Sequence, residues 1–405
     1  MTKISKLTIM LFVLILPVCL FGCSLFGGDD GGNGSNSGSN AGVTAIKLNI
    51  AYYEMEVGEE MLILNQVLQG EQDVTRDVTL AWSSSNKNVA TVHNDGVVTA
   101  VAVGSTTITA KAGSKSATCE ITVVAGGTYA GEEVLTYTSM DNVVKITGLT
   151  NSSVTKLKIP SRINNMEVNQ IGSSAFRDAN IQSVKIPDTI TQIGANAFYF
   201  CTSLDTVIIP DSVRFVDEWA FVYCENLKQV SIGSNVSELG EKVFYGCKKI
   251  QTMFVNKYNT HYDSRNNCNA IIETSTNTLL FGCKNTTIPS SVQTIGDYAF
   301  IYNTNLTSIT IPSNVTTIKD HAFYGCTHLA QINLKEGLTT IATEAFSYIS
   351  ATKIIMPISL VYVENNVFYG CENLKVYCRV ASKPSNWYTY WNAGVQDTIW
   401  GYTGN

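Results

Sequence analysis

The chain is 405 residues long, which suggests two or three domains. Only 15% of it is charged and the net charge is −6 with no basic run, which excludes a nucleic-acid partner held by phosphate neutralisation. Four histidines without an HExxH, and no CxxC, GxSxG or GxxxxGK, leave no catalytic, metal or phosphate-binding motif, so neither an enzyme nor a cofactor is expected.

Residues 1–22 read as a signal peptide: Lys3 and Lys6 precede an apolar run over 7–16 that is too short for a membrane span. The following "LFGC" resembles a bacterial lipobox, with Leu20 and Gly22 matching the pattern and Phe21 bulkier than usual. That resemblance implies cleavage before Cys23 and acylation there, enough for stable anchoring. The expected location is the cell envelope, in the outer membrane and surface-exposed, with a periplasm-facing lipoprotein the alternative. A plain secreted protein cleaved nearby is the alternative. Residues 23–42 are rich in Gly, Ser and Asn and cannot bury apolar surface. They form a tether whose sixteen residues 27–42 reach roughly 20–24 Å by random-coil scaling. Asp29 and Asp30 within it serve either a surface-export signal or solubility.

Residues 43–125 carry short alternating strands such as "AIKLNI", "VATV" and "ATCEITVV", separated by Gly, Asn, Asp and Ser, the pattern of a β-sandwich. "NDG" at 94–96 marks a tight turn. "WSSSNKNVATVHNDGVVTAVAVGSTTITA" resembles the bacterial Ig-like domain of group 2. Trp82 then reads as a core residue, and Cys119, alternating with Ile121 and Val123, as a buried thiol.

From 126 to the end the chain repeats itself. Phe176, Phe198, Phe221, Phe244, Phe300, Phe323, Phe346 and Phe368 recur at intervals of 22, 23, 23, 56, 23, 23 and 22 residues. A period of this length predicts a solenoid of about ten coils, and the long interval an inserted repeat at about 256–289. No coil can bury its Leu, Val, Ile and Phe alone, so stacking builds one continuous core. In "CTSLDTVIIPDSV" the strand points Leu204, Val207 and Ile209 inward and Thr206 and Ile208 outward. The runs "IPDTITQIGANAF" (186–198) and "IPSSVQTIGDYAF" (288–300) resemble the BspA-like leucine-rich repeats of bacterial surface proteins. Residues 128–148 are expected to form an N-terminal capping hairpin, and the end cap begins near 377. The expected fold is thus mainly β, an Ig-like sandwich followed by a leucine-rich-repeat solenoid. The resemblance implies an adhesin for host matrix protein or another cell. A glycan-binding accessory lipoprotein and a structural envelope protein without a ligand are the alternatives, so a carbohydrate partner stays open.

Three columns run along the coils. Cys201, Cys224, Cys247, Cys326 and Cys371 stand three residues after the phenylalanines, one per layer, which suits buried thiols better than a metal site. Tyr199, Tyr223, Tyr245, Tyr302, Tyr324, Tyr348 and Tyr369 either pack between coils or grip sugars or a protein partner. The third column is the outward strand face, whose residues vary from coil to coil. It comprises Ser183, Lys185, Thr206, Ile208, Gln229, Ser231, Thr252, Phe254, Ser308, Thr310, Gln331 and Asn333, and reads as a ligand surface or an ordinary solvated sheet. Ile208 and Phe254, apolar among polar neighbours, are expected as exposed anchors. In the insertion, a hairpin pairing Ile272 with Leu279 would set Cys268 opposite Cys283, the expected disulfide.

Overall fold

The computed structural model describes residues 42–404. The signal peptide, the acylation at Cys23 and the tether as far as residue 41 lie outside them. The first part of the described chain is a sandwich. Its larger sheet runs Tyr52–Glu56, Lys115–Val124, Gly104–Ala112 and Ala81–Ser84 in spatial order. Small sheets built on Asn65–Gln69 and Val97–Ala100 face it. Alternation fills the interior with Ile63, Val67, Val98, Ile108, Cys119 and Ile121, all fully buried. Trp82 packs on this core with part of its ring in solvent. The turn at Gly96 explains the ring's position: at φ +92° the residue lies in the left-handed region, and a Cβ there would stand 3.0 Å from the Trp82 ring.

The second part is a β-solenoid of about eleven turns. No α-helix occurs among the described residues, and none of their helices is long and apolar enough to cross a membrane. Each coil contributes a strand, usually a proline that ends its ladder, a two-residue strand, and a turn carrying the phenylalanine. Parallel pairing aligns Thr206 with Gln229 and Thr252, and Ile208 with Ser231 and Phe254. The hairpin Leu135–Met140 with Val143–Leu149 opens the stack. At the far end Trp387 and Trp391 close it, with Trp391 edge-on to Phe368 at 6.3 Å.

Phenylalanine rings form a central ladder, stacked and nearly parallel between Phe198 and Phe221 (5.0 Å, 5°) and between Phe323 and Phe346 (5.1 Å, 6°). The insertion breaks it. There Phe244 meets Phe281 edge-on at 5.4 Å, so a phenylalanine outside the period takes the rung.

Two residues of every turn lie in the left-handed region, two before and two after the phenylalanine: Trp219 (φ 63°) and Tyr223 (φ 55°) flank Phe221, for instance. That conformation costs a non-glycine residue roughly 1–2 kcal/mol. The tight turn imposes it in coil after coil.

The insertion corrects one expectation. Ile272 does pair with Leu279, but a bulge follows, and Ile271 and Ala270 pair with Phe281 and Gly282. The one-residue slip moves Cys268 off Cys283. Both are free thiols, Cys283 Sγ donating to the Asn269 carbonyl at 3.2 Å and Cys268 Sγ to the Ala270 carbonyl at 3.7 Å.

Candidate functional site

The outward strand face divides at the insertion. The Ig-like part and the solenoid fall within one compact unit, and the first half of the face is where they meet. Gln229, 2% exposed, accepts a hydrogen bond from the Ala51 amide at 2.5 Å and donates to the Tyr52 carbonyl at 3.2 Å. Ser231, equally buried, accepts from Asn49 Nδ2 at 3.4 Å. Ser183 shares a 2.9 Å hydrogen bond with the Tyr129 hydroxyl of the connecting segment.

Charge completes this contact. Glu59 pairs with Lys185 and, at 2.7 Å, with Lys158, while Glu54 pairs with Lys156 at 2.5 Å. Burial opposes the Glu59 charge, but hydrogen bonds from Lys158 and Lys185 outweigh it and hold the carboxyl below its usual range. Burial lowers the Lys185 ammonium, against the pull of Glu59. Lys47 reaches from the Ig-like part to the Met253 carbonyl at 2.8 Å, and burial brings its ammonium down to about 8.

Ile208 and Phe254 are therefore not exposed anchors. Ile208 packs against the Ig-like core, and Phe254 is 1% exposed with the Lys47 ammonium 5.9 Å from its ring centroid. They are apolar because another part of the same chain covers them. Thr206 Oγ1 donates to Asp205 Oδ1 at 3.1 Å and accepts from Gln229 Nε2 at 3.0 Å, and Thr252 is half-buried in the same row.

Beyond the insertion the face is open. Ser308, Thr310, Gln331 and Asn333 are exposed and line a groove of about 1030 Å³, walled on one side by Thr286 and Thr287 of the insertion. Lys335, Lys353 and Arg379 stand on its lining, which includes no carboxylate. Glu336, just outside, lies 3.9 Å from Arg379.

The cysteine column has a structural cause that the spacing alone does not reveal. Each thiol donates to the carbonyl of the phenylalanine one coil back, as Cys201 does to Phe176 at 3.0 Å and Cys326 to Phe300 at 3.0 Å. Burial pushes both thiols up to about 12. The tyrosines form an edge-to-face ladder, with Tyr223–Tyr245 at 5.6 Å and 86° and Tyr245–Tyr302 at 5.7 Å and 90°. Their planes cross, so they do not make a flat platform.

Residues 147–271 and 270–375, more than half the chain, match the BspA type leucine-rich repeat region, in six copies. The chain belongs to the BspA-type leucine-rich repeat family. Residues 64–123 of this family member match the bacterial Ig-like domain of group 2. Among solved structures it is similar to a leucine-rich repeat protein from Bacteroides ovatus, at 23% identity over 66% of this chain and 70% of that one (TM-score 0.47). It is also similar to a leucine-rich cell surface protein from Faecalibacterium prausnitzii, at 22% over 68% and 94% (TM-score 0.37). The pneumococcal vaccine antigen PcpA aligns at 15% over 68% and 86% (TM-score 0.45). No curated protein matches it.

The period in the sequence located the coils but missed the column two residues before each phenylalanine. Trp219, Lys242, Tyr298, His321 and Glu344 of that column line a second cleft with the tyrosine ladder. Their signal in the sequence was bulk at a position where Ser174, Asn196 and Asn366 stand in other coils.

Proposed function

We propose that this BspA-type protein is a lipid-anchored surface adhesin, held through Cys23, that grips a host matrix or cell-surface protein with the open half of its strand face. The observation that carries the reading is the division of that face: the Ig-like part occupies the first half, and Ser308, Thr310, Gln331 and Asn333 remain accessible on the second. Lys335 and Arg379, on a lining that includes no carboxylate, favour a partner that presents an acidic patch. The groove is polar and shallow, which suits a folded protein surface more than a buried small molecule. Immobilised matrix proteins probed with the full chain and with a Gln331→Ala/Lys335→Glu double variant test this. Capture by the parent that falls at least tenfold in an equally stable double variant supports the reading. Capture by neither protein, or by both alike, removes the groove from the site.

A further inference from the structure

Sequence sets the second cleft apart before its shape does. The position two residues before each phenylalanine is left-handed in every coil, and the end coils fill it with Ser174, Asn196 and Asn366. Serine and asparagine are small and polar there, and asparagine tolerates the conformation readily. The five coils between carry Trp219 (φ 63°), Lys242 (φ 55°), Tyr298 (φ 59°), His321 (φ 54°) and Glu344 (φ 53°), bulkier side chains that bear the strain without easing it. Such departures from local preference concentrate at functional sites.

These five side chains converge on one cleft of about 420 Å³, within the roughly 300–1,000 Å³ range of small-ligand sites. Trp219 is 41% exposed at its rim. The Lys242 ammonium sits 4.3 Å from the Tyr298 ring centroid and has no carboxylate partner among the described residues. His321 stacks on Tyr298 at 5.2 Å and 22°, with Nε2 3.8 Å from a Glu344 carboxylate oxygen. Its Nδ1 is buried and meets no hydrogen-bond partner among the described residues. An exposed indole offers the apolar face on which a pyranose ring stacks. Beside it lie hydroxyl-binding groups of both kinds and one cation free to pair with an anion.

We infer that this cleft is a saccharide-binding site whose preferred ligand is a pyranose carrying a carboxylate, with Trp219 under the ring and Lys242 on the acid. The site lies apart from the strand-face groove and does not depend on it.

The test is a glycan array that includes uronic-acid and sialic-acid glycans beside neutral ones, probed with the full chain, followed by calorimetric titration of the strongest carboxylated binder. The proposal expects carboxylated glycans to be retained above their neutral counterparts. Trp219→Asn should weaken binding at least tenfold while the melting temperature holds or rises, because asparagine relieves the left-handed strain. Lys242→Gln should abolish the preference for the acid, and Lys335→Glu in the other groove should change nothing. No retained glycan, equal binding of neutral and acidic forms, or full binding by Trp219→Asn overturns the assignment. A Trp219→Asn protein that melts lower yet keeps its affinity would give Trp219 a packing role and overturn it likewise.

Discussion

Gln229 accepts a hydrogen bond from the Ala51 amide across 178 residues of sequence, and that contact places the Ig-like part over the first half of the solenoid's strand face. The same row of coils that would otherwise offer four outward strands to a partner offers them to a neighbour in the chain. Of that strand face, Ser308, Thr310, Gln331 and Asn333 in the coils beyond the insertion stay exposed.

Glu59 is the ionic centre of that contact, since Lys185 and Lys158 both pair with it. Glu59→Ala leaves the half-buried Lys185 ammonium without its acceptor. Because Glu59 keeps some solvent, the expected loss is about 1–2 kcal/mol, below the cost of breaking a fully buried pair. Urea denaturation gives the loss, and hydrogen exchange should rise at Ser183–Lys185 and Thr206–Ile208 while staying unchanged at Gln331–Leu334.

Lys47 makes the contact pH-dependent. With its ammonium at about 8 in the folded protein and 10.5 as the ordinary value, the unfolded chain holds a proton that the folded one has lost in between. Stability therefore rises as pH climbs from about 8 to 9.5. Lys47→Met, which removes the group, should flatten that rise in urea midpoints measured across the window. An equally steep rise in the variant would assign it to other groups.

Tyr223 and Gly246 explain the repeated "FYGC". A Cβ on Gly246 would stand 2.4 Å from Tyr223 Cδ1, and the glycine's φ is +73°. The same pairing joins Tyr302 to Gly325 and Tyr348 to Gly370. Gly246→Ala should cost about 1–3 kcal/mol through overpacking and strain. Tyr223→Ala in the same chain should recover part of the loss, which a double-mutant cycle of melting curves measures.

The thiols supply a chemical check. Cys201 and Cys326, buried and pushed up to about 12, should resist alkylation in the native protein at pH 8 and react on unfolding. Peptide mapping after mild oxidation should find Cys268 and Cys283 unlinked, because the bulge after Ile272 sets them out of register. A Cys268–Cys283 peptide would show that the hairpin keeps its even register in solution.

The coils were legible because inward positions repeat. Leu204, Val207 and Ile209 answer to the same interior as Leu227, Val230 and Ile232, and a period survives in the residues that share it. Alternation in the sandwich placed Cys119 in its core for the same reason. What covers an outward residue leaves no such trace. Gln229 looks like any solvated glutamine, and the apolar character of Ile208 and Phe254 announced a cover without saying whose. The bulge escaped because a one-residue slip needs no special residue type when both registers keep apolar side chains inside. The left-handed column escaped because the turn, not the side chain, sets its backbone.

Cysteine labelling of the two halves of the face tests the central claim most directly. In full-length protein, a thiol introduced by Thr310→Cys should react with a soluble maleimide at close to the rate of the unfolded chain. One introduced by Ile208→Cys should react at least a hundredfold more slowly, and Glu59→Ala should narrow that gap. Equal, fast labelling at both positions in the parent background would mean that the Ig-like part does not cover the first half of the face, and would return Ile208 and Phe254 to the candidate ligand surface.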